Sequence, residues 1–356
     1  MALTNSRQFR TSVLFAVVIS MLVAACGSSK SSTKQSAKEL TLNVGMPSPT
    51  INWAPFWVAA GAGLFTKQNL NVHVVNYAAG NAITAELVSG EIDLAFFGST
   101  TDLIMINSGE KAQVIFDLSD FEANDFALVG KKGINSIGDL VAMGKSCVLT
   151  TTPPGSSIYA WLQSVIRAYG LRCQLTAAGQ STGPNMLAAA VSGSSDAATV
   201  TATEALSAEH AGQVSILVNP FTLSRTEAAK IAPQPFPTEV VGGLPTDLHN
   251  KEEAVVRFVK ALIEANKLIG SSGAEVLTNY TLKSPQAWVG TPASIITSNW
   301  QLQKPHESNG RITAAQWSVF LGFLPMYGVS FNSSNPAFQY PAAVDMSYYD
   351  SATKGG

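Results

Sequence analysis

From residue 39 onward, short β-branched apolar runs alternate with segments of helical period, and most of the helical segments close on a Gly. This alternation is the strongest constraint on the fold. Strands separated by helices cannot pair as hairpins. They pair through crossovers and build mostly parallel sheets. Strand-like runs at 40–45, 71–77, 92–97 and 114–118 enclose helical runs at 54–66, 81–89 and 101–108. A second series follows, with strands at 126–129, 147–151, 173–177, 197–200 and 214–218, and helices at 136–143, 156–169, 184–192 and 204–211. A Pro-rich stretch at 233–237 interrupts the pattern, and 238–241 is extended. From 251 the chain is largely helical, with one long helix at 252–269 and shorter ones to about 323. A turn-rich tail is expected from 325.

Length agrees with this division, because 356 residues exceed one ordinary domain of about 100–200. The expected fold class is α/β, with two lobes joined by two extended crossings near 121–126 and 238–242. Residues 39–122 and 242–356 form the first lobe, and 123–241 the second. Such a clamshell places its cleft at the carboxyl ends of the strands, where ligands of open α/β sheets bind, and hinge closure can trap them. Only 13% of residues are charged, with 22 Lys+Arg against 24 Asp+Glu. That excludes a disordered chain, a coiled coil and a nucleic-acid binder built on a basic face.

The first residues read as an address. Arg7 and Arg10 precede an apolar run at 13–23 that is too short to span a hydrocarbon core of about 30 Å as a stable helix. The run ends in Val23-Ala24-Ala25-Cys26, which resembles the lipobox of bacterial lipoproteins. Residues 1–25 are then a signal peptide, Cys26 is the lipidated (palmitate-bearing) residue, and Ser/Lys/Gly-rich 26–38 is a flexible tether. An ordinary signal peptide is the alternative. Export bears on Cys147 and Cys173, the other two cysteines. Outside the cytosol they can persist as a disulfide, and neighbouring strands of one βαβ unit bring them within range. Two buried thiols are the other reading.

Enzyme signatures are few. Gly179-Gln180-Ser181-Thr182-Gly183 fits the Gly-x-Ser-x-Gly elbow, with Asp196 and His210 following in hydrolase order. Pro184 delays the helix that such an elbow requires. His73, His210, His249 and His306 lack metal-ligand spacing. Gly144-Lys145-Ser146 is a fragment of a phosphate loop, with Asp139 where a Gly is needed and a strand following. No catalytic residue, metal or cofactor is expected.

A resemblance is carried by several segments in order. Asn52-Trp53-Ala54-Pro55-Phe56-Trp57-Val58-Ala59, Gly63-Leu64-Phe65 and Asn69-Leu70-Asn71-Val72 open it. Gly80-Asn81, the run Gly90-Glu91-Ile92-Asp93-Leu94-Ala95 and Gly98-Ser99-Thr100 follow. Thr152-Pro153-Pro154-Gly155-Ser156-Ser157 and Gly193-Ser194-Ser195-Asp196-Ala197-Ala198 complete it. Together they resemble the solute-binding proteins of ABC importers for nitrate, sulfonates, taurine and thiamine-pyrimidine precursors. The resemblance covers about 40–270. It implies the type II periplasmic-binding-protein clamshell, capture of a small solute, delivery to membrane permease subunits, and a monomer without nucleic acid at the extracytoplasmic face. Where that family often has Trp-Glu-Pro, this chain has Thr203-Glu204-Ala205. Two other readings share the fold: a lipid-anchored sensor that presents solute to a membrane receptor, and an anchored enzyme.

Five loops are expected at the cleft: 52–56, 80–82 and 98–101 from the first lobe, 155–157 and 201–204 from the second. The expected ligand-binding residues are Asn52, Trp53, Phe56, Gly80, Asn81, Gly98, Ser99, Thr100, Gly155, Ser156, Ser157, Thr203 and Glu204. The loops lie at helix N-termini, where free N–H groups and the helix dipole attract anions. Ser99, Thr100, Ser156 and Ser157 add hydroxyls, and each serine, like Asn81, can equally be a plain N-cap. No Arg or Lys lies in these loops; Arg167, Arg172, Arg225, Arg257 and Arg311 are elsewhere. Trp53, Phe56, Trp57, Phe121 and Phe126 supply aromatic surface, with Trp57 and Phe126 expected in the core. An organic solute, anionic or neutral, suits this mixture.

Overall fold

The computed structural model describes residues 38–47, 51–77, 80–120, 126–178, 183–219, 222–231, 235–284, 291–303, 308–332 and 334–354. Cys26, Phe121, His306 and the Gly179–Thr182 part of the serine motif lie outside them. The first half of the chain reads β1 (Leu40–Met46), α1 (Ala54–Gly61), α2 (Leu64–Lys67), β2 (Leu70–Asn76), α3 (Gly80–Ser89), β3 (Leu94–Gly98), α4 (Ser99–Asn107) and β4 (Gln113–Asp120). Next come β5 (Phe126–Lys131), α5 (Ile137–Met143), β6 (Val148–Thr151), α6 (Ser157–Tyr169), β7 (Gln174–Ala177), α7 (Gly183–Ser192), β8 (Ala197–Thr201), α8 (Ala202–His210), β9 (Val214–Val218) and α9 (Arg225–Ile231). The chain continues with β10 (Pro237–Gly243), α10 (Pro245–Asn250), α11 (Glu252–Ser271), α12 (Ala274–Lys283), α13 (Ala293–Gln303), α14 (Ala314–Phe323), a short 3₁₀ helix at Leu324–Tyr327, and α15 (Ser347–Lys354).

Two five-stranded sheets result, in the orders β2-β1-β3-β10-β4 and β7-β6-β8-β5-β9. Each is parallel except for one strand. β10 runs antiparallel between β3 and β4, and β5 runs antiparallel between β8 and β9. Two mixed α/β lobes of this kind form the clamshell expected from the alternation. Three details differ from the expectation. Residues 237–241 were expected to end the second lobe, yet with 242–243 they form a central strand of the first sheet. The 54–66 helix is broken by Gly63, whose left-handed φ of 68° starts α2 afresh. The tail holds α15, a helix packed on α11 and β4.

The first sheet is covered on both faces. Leu94 and Phe96 of β3 belong to an apolar cluster with α1, α11 and α12, where Phe65 stacks on Phe258 with ring centroids 5.2 Å apart. Ala95 and Phe97 face the other way, into a cluster that continues through Phe236, Phe320 and Tyr327 to Leu128, Leu149 and Val200 of the second lobe. Alternation on one strand thus feeds both layers.

The repeated Gly-x-x-Asp motif explains how each sheet is registered. The Asp93 carboxylate accepts the Asn43 N–H at 2.8 Å, the Asp93 N–H donates to the Asn43 carbonyl at 2.8 Å, and Lys251 pairs with the same carboxylate at 2.8 Å. In the second lobe Asp196 accepts from the Val148 N–H at 2.8 Å, donates to the Val148 carbonyl at 2.9 Å and pairs with Lys131 at 2.6 Å. In each case a Gly three residues earlier, Gly90 or Gly193, sits at positive φ and turns the chain off its helix. Cys147 and Cys173 are disulfide-bonded, with Cα atoms 4.6 Å apart, at the start of the adjacent parallel strands β6 and β7.

Asp196→Ala removes a mostly buried, charge-assisted bond and leaves Lys131 without its partner. It is expected to cost about 2–4 kcal/mol of unfolding free energy by denaturant titration. A loss below about 0.5 kcal/mol, the range of ordinary surface changes, would show that the aspartate does not hold the strand.

Candidate functional site

The two lobes meet where β3 passes into α4 and where β6 leads into α6. Gly98 ends β3 in an extended conformation, and a Cβ built on it would lie 2.8 Å from the Ser157 hydroxyl. Thr100 donates its hydroxyl to the Gly155 carbonyl at 2.7 Å. Gly155, at φ 102°, donates its N–H to the Tyr327 carbonyl at 2.8 Å. One residue of the second lobe, Gly155, is therefore held by the first lobe through its carbonyl and by the 3₁₀ helix of the C-terminal segment through its N–H. A second meeting point joins α13 to α8, where the buried Asn299 amide donates to the Thr203 hydroxyl.

Glu239 sits at the first meeting point. It is the cross-strand partner of Gly98 on β10 and is 6% exposed. Burial lifts its carboxyl from the ordinary 4.5 to about 8, with the Ser157 hydroxyl pulling the other way. The Tyr327 hydroxyl, fully buried on the same side, is raised by burial and then by the charge of Glu239. It makes no well-formed hydrogen bond to a side chain or backbone group. Among the described residues four ion pairs are formed, and none includes Glu239. The junction is thus a sealed polar patch of Glu239, Tyr327, Ser157 and Thr100.

Of the expected cleft residues, Gly98, Thr100, Gly155 and Ser157 converge here. Ser99 is adjacent, but its hydroxyl is committed to the Pro237 carbonyl at 2.9 Å. Ser156 is the N-cap of α6, accepting the Tyr159 N–H at 3.2 Å. Thr203 belongs to the second meeting point. Others serve elsewhere. Glu204 forms a capping box with Thr201, accepting its N–H at 2.9 Å, so its carboxylate closes its own helix. Trp53 packs on Phe96 at 5.5 Å, and Phe56 lies against Phe65, Phe96 and Trp57 at 5.3–5.4 Å. Both are first-lobe core, as Trp57 is, and Asn52 is buried beside them. Phe126 packs on Trp161 in the second lobe. Gly80 opens α3, and the side chain of Asn81 lies outside the described residues.

Asp196 and His210 follow the serine motif in hydrolase order. Asp196 is committed to Lys131 and Val148, and His210 is exposed at the end of α8. Gly144–Ser146 is a 3₁₀ turn that runs into β6, not into a helix. Among the described residues no three His, Cys, Asp or Glu side chains gather as a metal site. Glu239 and Tyr327 were missed. Glu239 is the one charged residue in the otherwise neutral β10, which is the signal that could have found it. Tyr327 lies in a segment expected to be turns.

A pH test follows. In the unfolded chain Glu239 ionises near 4.5, and in the folded chain near 8. Between those values the folded chain keeps a proton that the unfolded chain has lost. Stability therefore falls as pH rises across the window. Glu239→Gln removes this contribution, on the order of a few kcal/mol. Asp102 and Asp117, also raised by burial, keep theirs. Thermal melts from pH 5 to 8.5 are expected to converge at low pH and diverge above it, with the variant more stable at high pH. Parallel curves would place Glu239 in an ionised state.

Comparison with known proteins agrees with this architecture. The NMT1/THI5-like family profile matches residues 50–270. A search of curated proteins finds no sequence match. Among solved structures, the ligand-binding component of an ABC-type import system from Staphylococcus aureus, with zinc bound, superposes at a TM-score of 0.71 and 14% identity, covering 88% of this chain and 99% of that one. The periplasmic nitrate-binding protein NrtA from Synechocystis PCC 6803 gives 0.68 and 14%, covering 88% of each chain. The periplasmic aliphatic sulphonate-binding protein SsuA from Escherichia coli gives 0.59 and 17%, covering 81% and 86%. The profile spans more than half of the chain, and the chain belongs to the NMT1/THI5-like family.

Proposed function

We propose that this chain is the solute-binding lipoprotein of an ABC importer, capturing a small organic solute between its lobes and presenting it to membrane permease subunits. The observation that carries this reading is the junction itself. Thr100 bonded to Gly155, and Gly98 facing Ser157, bring two separate lobes together over a sealed polar patch. Such a contact must open to admit a ligand and can close over it. Sulfonates, nitrate, taurine and thiamine-precursor-like solutes are the classes to consider. The patch offers hydroxyls and one carboxyl, with no guanidinium fork. A micromolar complex requires about −8 kcal/mol, within reach of a few buried hydrogen bonds and an apolar contact after ordering costs. No covalent chemistry is assigned to these groups.

Thermal shift of the chain against nitrate, alkanesulfonates, taurine, thiamine precursors, aromatic carboxylates and amino acids tests the reading. A rise with one class is expected, because a ligand of the folded state alone stabilises by mass action. Silence across the whole panel would contradict it. The proposed anchor is the lipid on Cys26, and the proposed tether is 26–38. Intact-mass analysis of membrane-extracted protein should show diacylglycerol and acyl mass, lost with the cleavage in Cys26→Ala. A variant that keeps both would place the anchor elsewhere.

A further inference from the structure

The sealed junction holds a carboxyl with no countercharge among the described residues. Glu239 is buried on a central strand, opposite a Gly that leaves the space above it to the second lobe. Among the described residues, the cations that pair with carboxylates are Lys131, Lys251, Arg257 and Arg311, and all four pair with residues other than Glu239. The groups set beside Glu239 are Ser157, from the second lobe, and Tyr327, from the C-terminal segment. Both are neutral hydroxyls. The buried Tyr327 hydroxyl lacks a well-formed partner, and a buried polar atom in that state is destabilising. A carboxyl with no protein cation and a hydroxyl with spare capacity, both facing the closure contact, are complementary to a group that brings positive charge and several N–H donors. They oppose a sulfonate or carboxylate placed at the same point, because two anions would then be buried together.

We propose that Glu239 and Tyr327 select a solute bearing a cationic nitrogen, an ammonium or amidinium group, which hydrogen-bonds the Glu239 carboxylate in the closed cleft. This inference rests on the solute-receptor reading and names the chemical class that the receptor takes. Because the free carboxyl holds its proton to about pH 8, an incoming cation displaces that proton to solvent. Binding near pH 7 therefore releases close to one proton for each cation bound. Tyr327 is the titratable group facing Glu239, and its proton stays in place throughout this range.

The test uses the full chain and two matched pairs of probes: taurine against ethanesulfonate, and benzamidine against benzoate. Each pair keeps a common skeleton or anion and differs in the cationic nitrogen. The expected result is that at least one nitrogen-bearing probe raises the thermal midpoint at pH 7 while its partner does not. Calorimetry in two buffers of different ionisation enthalpy should then show release of about one proton. Glu239→Gln should weaken that probe at least tenfold and abolish the release. Tyr327→Phe should weaken it less and leave the release intact. A response confined to ethanesulfonate or benzoate overturns the cationic assignment while leaving a solute receptor in place. So does a cation that binds wild type and Glu239→Gln alike. Silence of all four probes overturns the assignment too, and silence of the wider solute panel as well removes the receptor reading beneath it.

Discussion

One aspartate at the foot of a strand registers each sheet. Asp93 and Asp196 each take the N–H of the neighbouring strand on the carboxylate, return their own N–H to the same residue's carbonyl, and hold a lysine on the outside. A one-residue slip in a strand turns every side chain to the opposite face. Fixing the start of β3 against β1, and of β8 against β6, therefore fixes which residues stand at the other ends of those strands. Gly98 and Thr201 end β3 and β8, and the helices that follow them reach the lobe junction. The clamps lie at the far end of each sheet from the chemistry, yet the geometry of the junction depends on them.

The junction shows how the fold handles polar groups at its closure surface. Most hydroxylic groups there are used for assembly: Ser99 holds β10, Ser156 caps α6, and Thr201 with Glu204 caps α8. What remains for a solute is a narrower set than the loops suggest. The C-terminal segment completes it. α14 packs Phe320 and Phe323 against Phe236, and the following turn brings Tyr327 to Gly155 and Gly328 against Tyr159. Separating the lobes would therefore involve this segment.

The sequence carried the strand–helix alternation well, because period and Gly-terminated helices are local signals. It also carried the Cys147–Cys173 bridge and the segments that meet at the junction. It carried the aromatic residues poorly. Trp53 and Phe56 sit in a loop-to-helix opening that looks ligand-facing, but both pack against Phe96 of β3, distant in sequence, in the first-lobe core. Glu204 looked like a ligand because one Glu in a motif carries no mark separating a capping box from a binding group; Thr201 three residues earlier was the discriminating neighbour. Glu239 stands out in the sequence only as the lone charge of its strand. Its isolation follows from β10 inserting between β3 and β4, and that topology is non-local.

Under the proposed function the two lobes open and close around a solute at the Gly98–Ser157 contact. Small-angle X-ray scattering of the chain, alone and with a solute that raises its thermal midpoint, tests it most directly. A larger radius of gyration is expected for the free chain, with contraction to the value of the closed structure on saturation. A free chain that already has the closed dimensions, unchanged by a solute that demonstrably binds, would contradict it.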